Sequence, residues 1–197
     1  MSTFQRGQKS QLADLTPGTR FEVGVSLGNP GGLDIDIACF GLDEAGKLSD
    51  DSYFTFYNQP KTPCGAVSME TRGGFDKIFD IDLAKLPGTI KRLVFTAAID
   101  GNGDLSKLSG SELVLQANGQ PVMKFPFDGG LFGSEKALMI AELYFKSVWR
   151  VAAVGQGFNG GLQALLEHFG GEVGDKPAAA PAPAAAAPAP APARPAP

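Results

Sequence analysis

Histidine is almost missing from this sequence: among 197 residues only His168 is one. A single imidazole removes most general-base schemes, and no Ser-His-Asp, Cys-His or metalloprotease constellation can be assembled around it. Cysteine is nearly as scarce. Cys39 and Cys64 lie far apart and spell neither a redox nor a metal motif, so both read as buried or half-buried thiols. Positive charge is not in excess: 17 Lys and Arg face 21 Asp and Glu, for a net charge of −4, which argues against a nucleic-acid partner. No apolar run approaches the roughly 18 residues needed to span a bilayer, and Met1–Lys9 contains no apolar h-region. The expectation is a cytoplasmic protein with no membrane span. Bulky apolar side chains are absent from the last stretch as well. Pro177–Pro197 holds only Pro, Ala and Arg194, and eight of the 15 prolines fall there. Such a segment cannot bury enough apolar surface to offset its ordering entropy, so residues 176–197 are expected to be disordered or polyproline-like. Residues 1–175 then form one domain, long enough to build a core without staples.

What is present is strand pattern punctuated by turns. Phe21, Val23, Val25 and Leu27 alternate onto one face, and Asn29-Pro30-Gly31-Gly32 breaks the chain after them. Further strands are expected at Leu33–Leu42, Tyr53–Tyr57, Lys77–Leu83 and Arg92–Ile99. Leu113–Ala117 and Val122–Phe127 should pair as a hairpin, because Asn118-Gly119 supplies the positive φ angles of a tight primed turn. Leu138–Phe145 and Val148–Val154 should pair across Lys146-Ser147. One helix is expected: Leu162, Leu165, Leu166 and Phe169 form a single stripe, with Asn159 as N-cap and Gly170 as stop. His168 lies off that stripe and reads as a surface residue. The sum is an all-β chain, a β-sandwich of two mainly antiparallel sheets with a short C-terminal helix.

The most informative polar pair is Asp34 and Asp36. At i and i+2 on a strand both carboxylates leave one face, which continues as Ala38, Phe40 and Leu42, while Ile35, Ile37 and Cys39 fill the other. Two carboxylates near a core strand are costly unless neutralised, and a gathering of oxygens suits Ca²⁺. The alternative is that both protrude into solvent at the strand start. Asp82 reads as the cap of a short helical turn. Asp100-Gly-Asn-Gly-Asp104 opens like an EF-hand loop but has Leu105 where that loop needs Gly and Glu112 one place late, so it reads as a glycine-rich turn. Gly155-Gln-Gly-Phe-Asn-Gly160 spells G-x-G-x-x-G, yet no second parallel strand follows to complete a βαβ unit, and its glycines read as a turn into the helix.

Trp149 to Gly171, with Glu142-Leu-Tyr just before it, is similar to the C-terminal signature of the TerD family. Asp34-Ile-Asp36, the aromatic run leading into Phe56-Tyr57-Asn58, Asp82-Leu83 with Leu86-Pro87, and Arg6-Gly-Gln fit the same family, so the resemblance extends from Phe4 to Val173. It implies a Ca²⁺-binding β-sandwich without enzymatic activity, found in bacterial tellurite-resistance and stress systems and working with other proteins of that system. Residue by residue it carries candidate calcium ligands onto Asp34, Asp36, Asn58 and Glu70, with Asp76 the other acid of the same loop. That loop departs from the family. Where relatives carry a glycine- and acid-rich stretch that supplies ligands, this chain has Met69-Glu-Thr-Arg-Gly-Gly-Phe-Asp-Lys77, which is shorter and keeps only Glu70 and Asp76. A second reading therefore stands beside calcium binding: a metal-free protein-interaction module tethered through its Pro/Ala tail.

Overall fold

The computed structural model describes residues 1–170. The expected tail, and the domain boundary at 175, lie outside the described residues. Among the described residues twelve strands form two six-stranded sheets. The first has the order β1 (Ser2–Thr3), β10 (Gln120–Phe127), β9 (Ser111–Ala117), β3 (Arg20–Ser26), β7 (Lys77–Asp82), β6 (Val67–Glu70). The second has the order β2 (Lys9–Gln11), β12 (Val148–Phe158), β11 (Ala137–Lys146), β8 (Arg92–Ile99), β4 (Ile35–Leu42), β5 (Phe54–Thr55). All pairings are antiparallel except β1 with β10. Among the described residues no helix is long and apolar enough to cross a membrane.

Period-2 alternation builds the core between the sheets. Phe21, Val23 and Val25 of β3 and Phe79 and Ile81 of β7 point inward from one sheet. Ile37 and Cys39 of β4 and Leu93, Phe95 and Ala97 of β8 answer from the other. The rings of Phe79 and Phe95 meet edge-on across the sandwich, with centroids 5.3 Å apart. A second apolar layer lies on the outside of the second sheet. Ala38, Phe40 and Leu42 of β4, with Phe54, Val94 and Met139, are covered there by Leu165 of α1 (Gly161–His168) and by Phe169, its C-cap. Beyond Asp36, the strand β4 is thus apolar on both sides, as its sequence indicates. Asn118 (φ 52°) and Gly119 (φ 72°) make the primed turn between β9 and β10.

Three expectations change. The Tyr53–Tyr57 strand shrinks to Phe54–Thr55. Asp50 accepts from Ser52 N at 2.9 Å and caps a 3₁₀ turn over Asp51–Tyr53, while Phe56 and Gln59 pair back at 3.1 and 3.0 Å to close a second turn. Asn159 does not cap the helix: Gly160 holds that position, with no side-chain cap. Gly155 and Gly157 lie inside β12 rather than in a turn. A β-carbon at Gly157 would come 2.7 Å from the Glu135 side chain, so these glycines serve close packing.

Candidate functional site

The end of the sandwich where β3 runs into β4 carries the acidic residues singled out above. Asp34 is exposed just before β4, its carbonyl oxygen accepting from Asp100 N at 2.9 Å. Asp36 is half-buried on β4, paired in register with Ala98. Its neighbours two and four places on, Ala38 and Phe40, belong to the layer under α1, so Asp36 leaves the outer face of the second sheet. Asn58 is exposed at the tip of the Phe56–Gln59 turn that follows β5, the strand beside β4. Asp34, Asp36 and Asn58 therefore belong to one sheet.

Glu70 belongs to the other. It is the last residue of β6, where Val67 and Met69 point into the core, so Ser68 and Glu70 leave the outer face of the first sheet. Glu70 and Asp36 look out from opposite sides of a sandwich whose layers are about 10 Å apart. No single ion can be held by both. Glu70 is engaged locally instead, 3.3 Å from Arg72 Nε. Asp76 is engaged too: its Oδ2 accepts from Leu27 N at 2.6 Å, tying the start of β7 to the end of β3.

Sequence reasoning left Arg72 unremarked, and it is the centre of this corner. Its Nη1 and Nη2 donate to Glu22 Oε1 at 3.2 and 3.0 Å, Nη2 also donates to Asp80 Oδ1, and Nε donates to Glu70 Oε2. Glu22, Asp80 and Glu70 stand on β3, β7 and β6, three neighbouring strands of one face. The Asp80 hydrogen bond above all, with the charges of Asp80, Glu22 and Glu70, raises the Arg72 pKa against the opposing effect of burial. No spacing in the sequence signals it, because Glu22 and Asp80 become direct cross-strand partners only in the folded sheet, where two like charges opposed in this way call for a cation. Phe75 completes the loop's attachment, with its ring lying directly over Gly24 of β3.

The acids thus fall into two sets that do not meet. Calcium takes six to eight oxygens. Among the described residues no group of three or more His, Cys, Asp or Glu is disposed to hold a metal ion. Asp34, Asp36, Asn58 and Glu70 therefore do not converge as one four-residue cage, because Glu70 lies on the other sheet. The other acidic features serve as caps. Asp82 Oδ1 accepts from Ala84 N at 3.2 Å, the role its sequence context indicates, and Asp104 Oδ1 accepts from Ser106 N at 3.0 Å. His168 is exposed, its ring between those of Phe158 and Phe169 at 5.1 Å from each.

Comparison with known proteins gives this architecture its lineage. The TerD domain family model matches residues 1–169. Tellurium resistance protein TerA of an Alcaligenes species is 32% identical over 130 residues, which is 65% of this chain but 38% of TerA, so the chain spans well under half of that relative. Chemical-damaging agent resistance protein B of Clostridium acetobutylicum is 34% identical over 62% of this chain and 97% of its own. General stress protein 16U of Bacillus subtilis is 29% identical over 87% of this chain and 98% of its own. A solved homologue of telluride resistance protein TerD from Streptomyces coelicolor A3(2) shares the fold, with a TM-score of 0.56 at 18% identity, over 75% of this chain and 94% of that one. The chain belongs to the TerD family.

Proposed function

We propose that this chain is a non-enzymatic, cytoplasmic binding module of a tellurium-resistance type of stress system, that it acts through other proteins of that system, and that it does so without a complete calcium cage. The observation that carries the reading is the engagement of Glu70 by Arg72 and of Asp76 by the Leu27 amide, which gives both acids of the 69–77 loop partners within the chain. The stress-system setting follows the relatives, whose names give resistance and general stress. An apolar contact surface is offered at the β11–β12 hairpin tip, where Phe145 and Val148 remain 40% and 43% exposed on either side of Lys146-Ser147.

Thermal melting of the full chain in excess Ca²⁺ and in chelator tests the metal part. A ligand at 100 times its Kd adds about 2.7 kcal/mol, or several degrees in a domain of this size, so coincident midpoints at millimolar Ca²⁺ are expected. A rise of that size would replace this reading with the second one, calcium held at Asp34, Asp36 and Asn58. That reading is favoured by Asp34 and Asp36 standing two residues apart at the rim of one sheet, with Asn58 on the turn after the neighbouring strand. Under it, Asp34→Asn should abolish the rise.

A further inference from the structure

We infer that Arg72 is a cation built into the chain in place of a divalent metal, and that it locks the 71–76 loop onto the first sheet at any calcium level. The inference rests on the metal-independent reading above and adds the device that makes it workable. Three observations converge on it.

The first is electrostatic. Glu22 and Asp80 face each other directly across β3 and β7, and Glu70 stands on the next strand. Left alone, these three carboxylates on one face repel one another. A divalent ion would gather them. Here the guanidinium of Arg72 does so, with Nε, Nη1 and Nη2 all engaged. A planar fork with five fixed donors spreads over several carboxylates in one plane, a geometry that the compact ammonium of lysine does not preorganise.

The second is steric. Gly73 (φ 69°) and Gly74 (φ 82°) reverse the chain just after Arg72 and lay Phe75 across Gly24. A β-carbon at position 24 would lie 2.6 Å from the Phe75 ring, so the ring fits only because that residue is glycine. The third is the closing contact. Asp76 N donates to Val25 O at 3.0 Å, Asp76 Oδ2 accepts from Leu27 N, and Lys77 Nζ donates to Thr71 Oγ1 at 3.0 Å across the loop's base. Charge, ring and backbone each tie the same six residues to the same face. The loop is thus presented in one conformation, and any partner that reads it does so constitutively.

The test uses the full chain as wild type, Arg72→Gln, Arg72→Lys and Phe75→Ala. Each is melted and digested with chymotrypsin, which cuts after Phe75, in Ca²⁺ or chelator and at low or high NaCl. For wild type, the midpoint and the cleavage rate are expected to be the same with Ca²⁺ and with chelator. Arg72→Gln should lower the midpoint by roughly 3–8 °C and speed cleavage at Phe75 by about tenfold or more. The midpoint gap from wild type should narrow in high salt, because partly exposed charges are screened. Arg72→Lys should fall between the two, and Phe75→Ala should lower the midpoint with no salt-dependent gap. If Arg72→Gln left midpoint and loop cleavage unchanged, or if its gap ignored salt, the lock would be overturned while metal independence stood. If wild-type loop protection required Ca²⁺, the metal-independent reading itself would fall.

Discussion

The Phe75 ring occupies the space where a side chain at Gly24 would begin, with its nearest atom 2.6 Å from an ideal β-carbon position. Gly24 sits mid-strand in β3, where glycine ordinarily weakens a strand. Its retention here is explained by the ring. Gly24→Ala should displace Phe75 at an overpacking cost of about 1–3 kcal/mol. In the Phe75→Ala background the same substitution should cost nothing or stabilise slightly, because alanine is the better strand residue once the ring is gone. A double-mutant cycle by thermal melting reads the coupling. Additive effects would show that the ring does not constrain position 24.

Gly28 poses a harder version of the same constraint. A β-carbon there would fall 1.4 Å from the carbonyl oxygen of Ser109, and Gly28 O accepts from Ser109 N at 2.7 Å. The obstacle is backbone, which cannot rotate away as a phenyl ring can. Gly28→Ala should therefore cost more than Gly24→Ala, at about 3 kcal/mol or above, and be visible as poor soluble yield or a midpoint many degrees lower. Similar melting curves for the two variants would refute this ranking.

Much of the fold could be read from the sequence because its main strands are long and alternate cleanly. Arg92–Ile99 has the bounds expected, and the Asn118-Gly119 turn sets its hairpin through φ angles few other pairs adopt. Of the edge strands only β5 could be read, and as a longer strand than it is. β1, β2, β5 and β6 run from two to four residues, too short to show a period, and short edges protect a sheet against unwanted pairing. At the candidate site, the D-x-D spacing expects both carboxylates on one face of a strand, whereas Asp34 stands just before β4 and Asp36 alone lies on it. It could not show that Glu70 faces the opposite way, because that depends on which sheet each strand joins. Arg72 was invisible for a related reason: its partners Glu22 and Asp80 lie 50 and 8 residues away and meet only through strand pairing.

Asp82 separates capping from charge. Its Oδ1 accepts from Ala84 N, while Oδ2 lies 2.8 Å from Arg20 Nε and 3.9 Å from Lys85 Nζ. The Arg20 side chain is 78% exposed, so its ion pair should contribute little. A lost cap typically costs about 1 kcal/mol. Asp82→Asn, which keeps an oxygen for the cap, should change stability by about 0.5 kcal/mol or less, and Asp82→Ala by about 1–2 kcal/mol. Equal losses in both variants, measured by urea unfolding, would assign the stability to charge.

The two thiols should differ sharply in reactivity. Cys39 is fully buried on β4, and burial pushes its pKa strongly upward, leaving almost no thiolate at neutral pH. Cys64 is half-buried beside Thr62, with Sγ 3.7 Å from Thr62 Oγ1. A thiol reagent should titrate one cysteine in the native chain and a second only on unfolding, and Cys64→Ser should remove the native signal. Fast modification of two thiols under native conditions would mean that the β4 core opens readily.

The outer layer under α1 makes the last test, because it is where the helix gains its stability. α1 is eight residues long and carries no side-chain cap, so in isolation it would be marginal. What holds it is its seat on the outer face of the second sheet, against β8, β11 and β12. Leu165 is fully buried, and the Phe169 ring lies 4.9 Å from that of Phe40, which stacks in turn on Phe54 at 4.3 Å. Leu48 N donates to Phe169 O at 2.8 Å and ties the helix end to the loop after β4. Leu165→Ala should thus cost about 2–5 kcal/mol, the range for a buried leucine whose site cannot fully collapse. Leu162→Ala, at a half-buried position on the same stripe, should cost less, and Gln163→Ala, exposed, should fall within about 0.5 kcal/mol of wild type. Hydrogen exchange adds a second readout. In Leu165→Ala the α1 amides should lose protection while those of β8 and β11 keep theirs, because the inter-sheet core contains none of the helix's side chains. Simultaneous loss across β8 and β11 would show that the two apolar layers unfold as one unit.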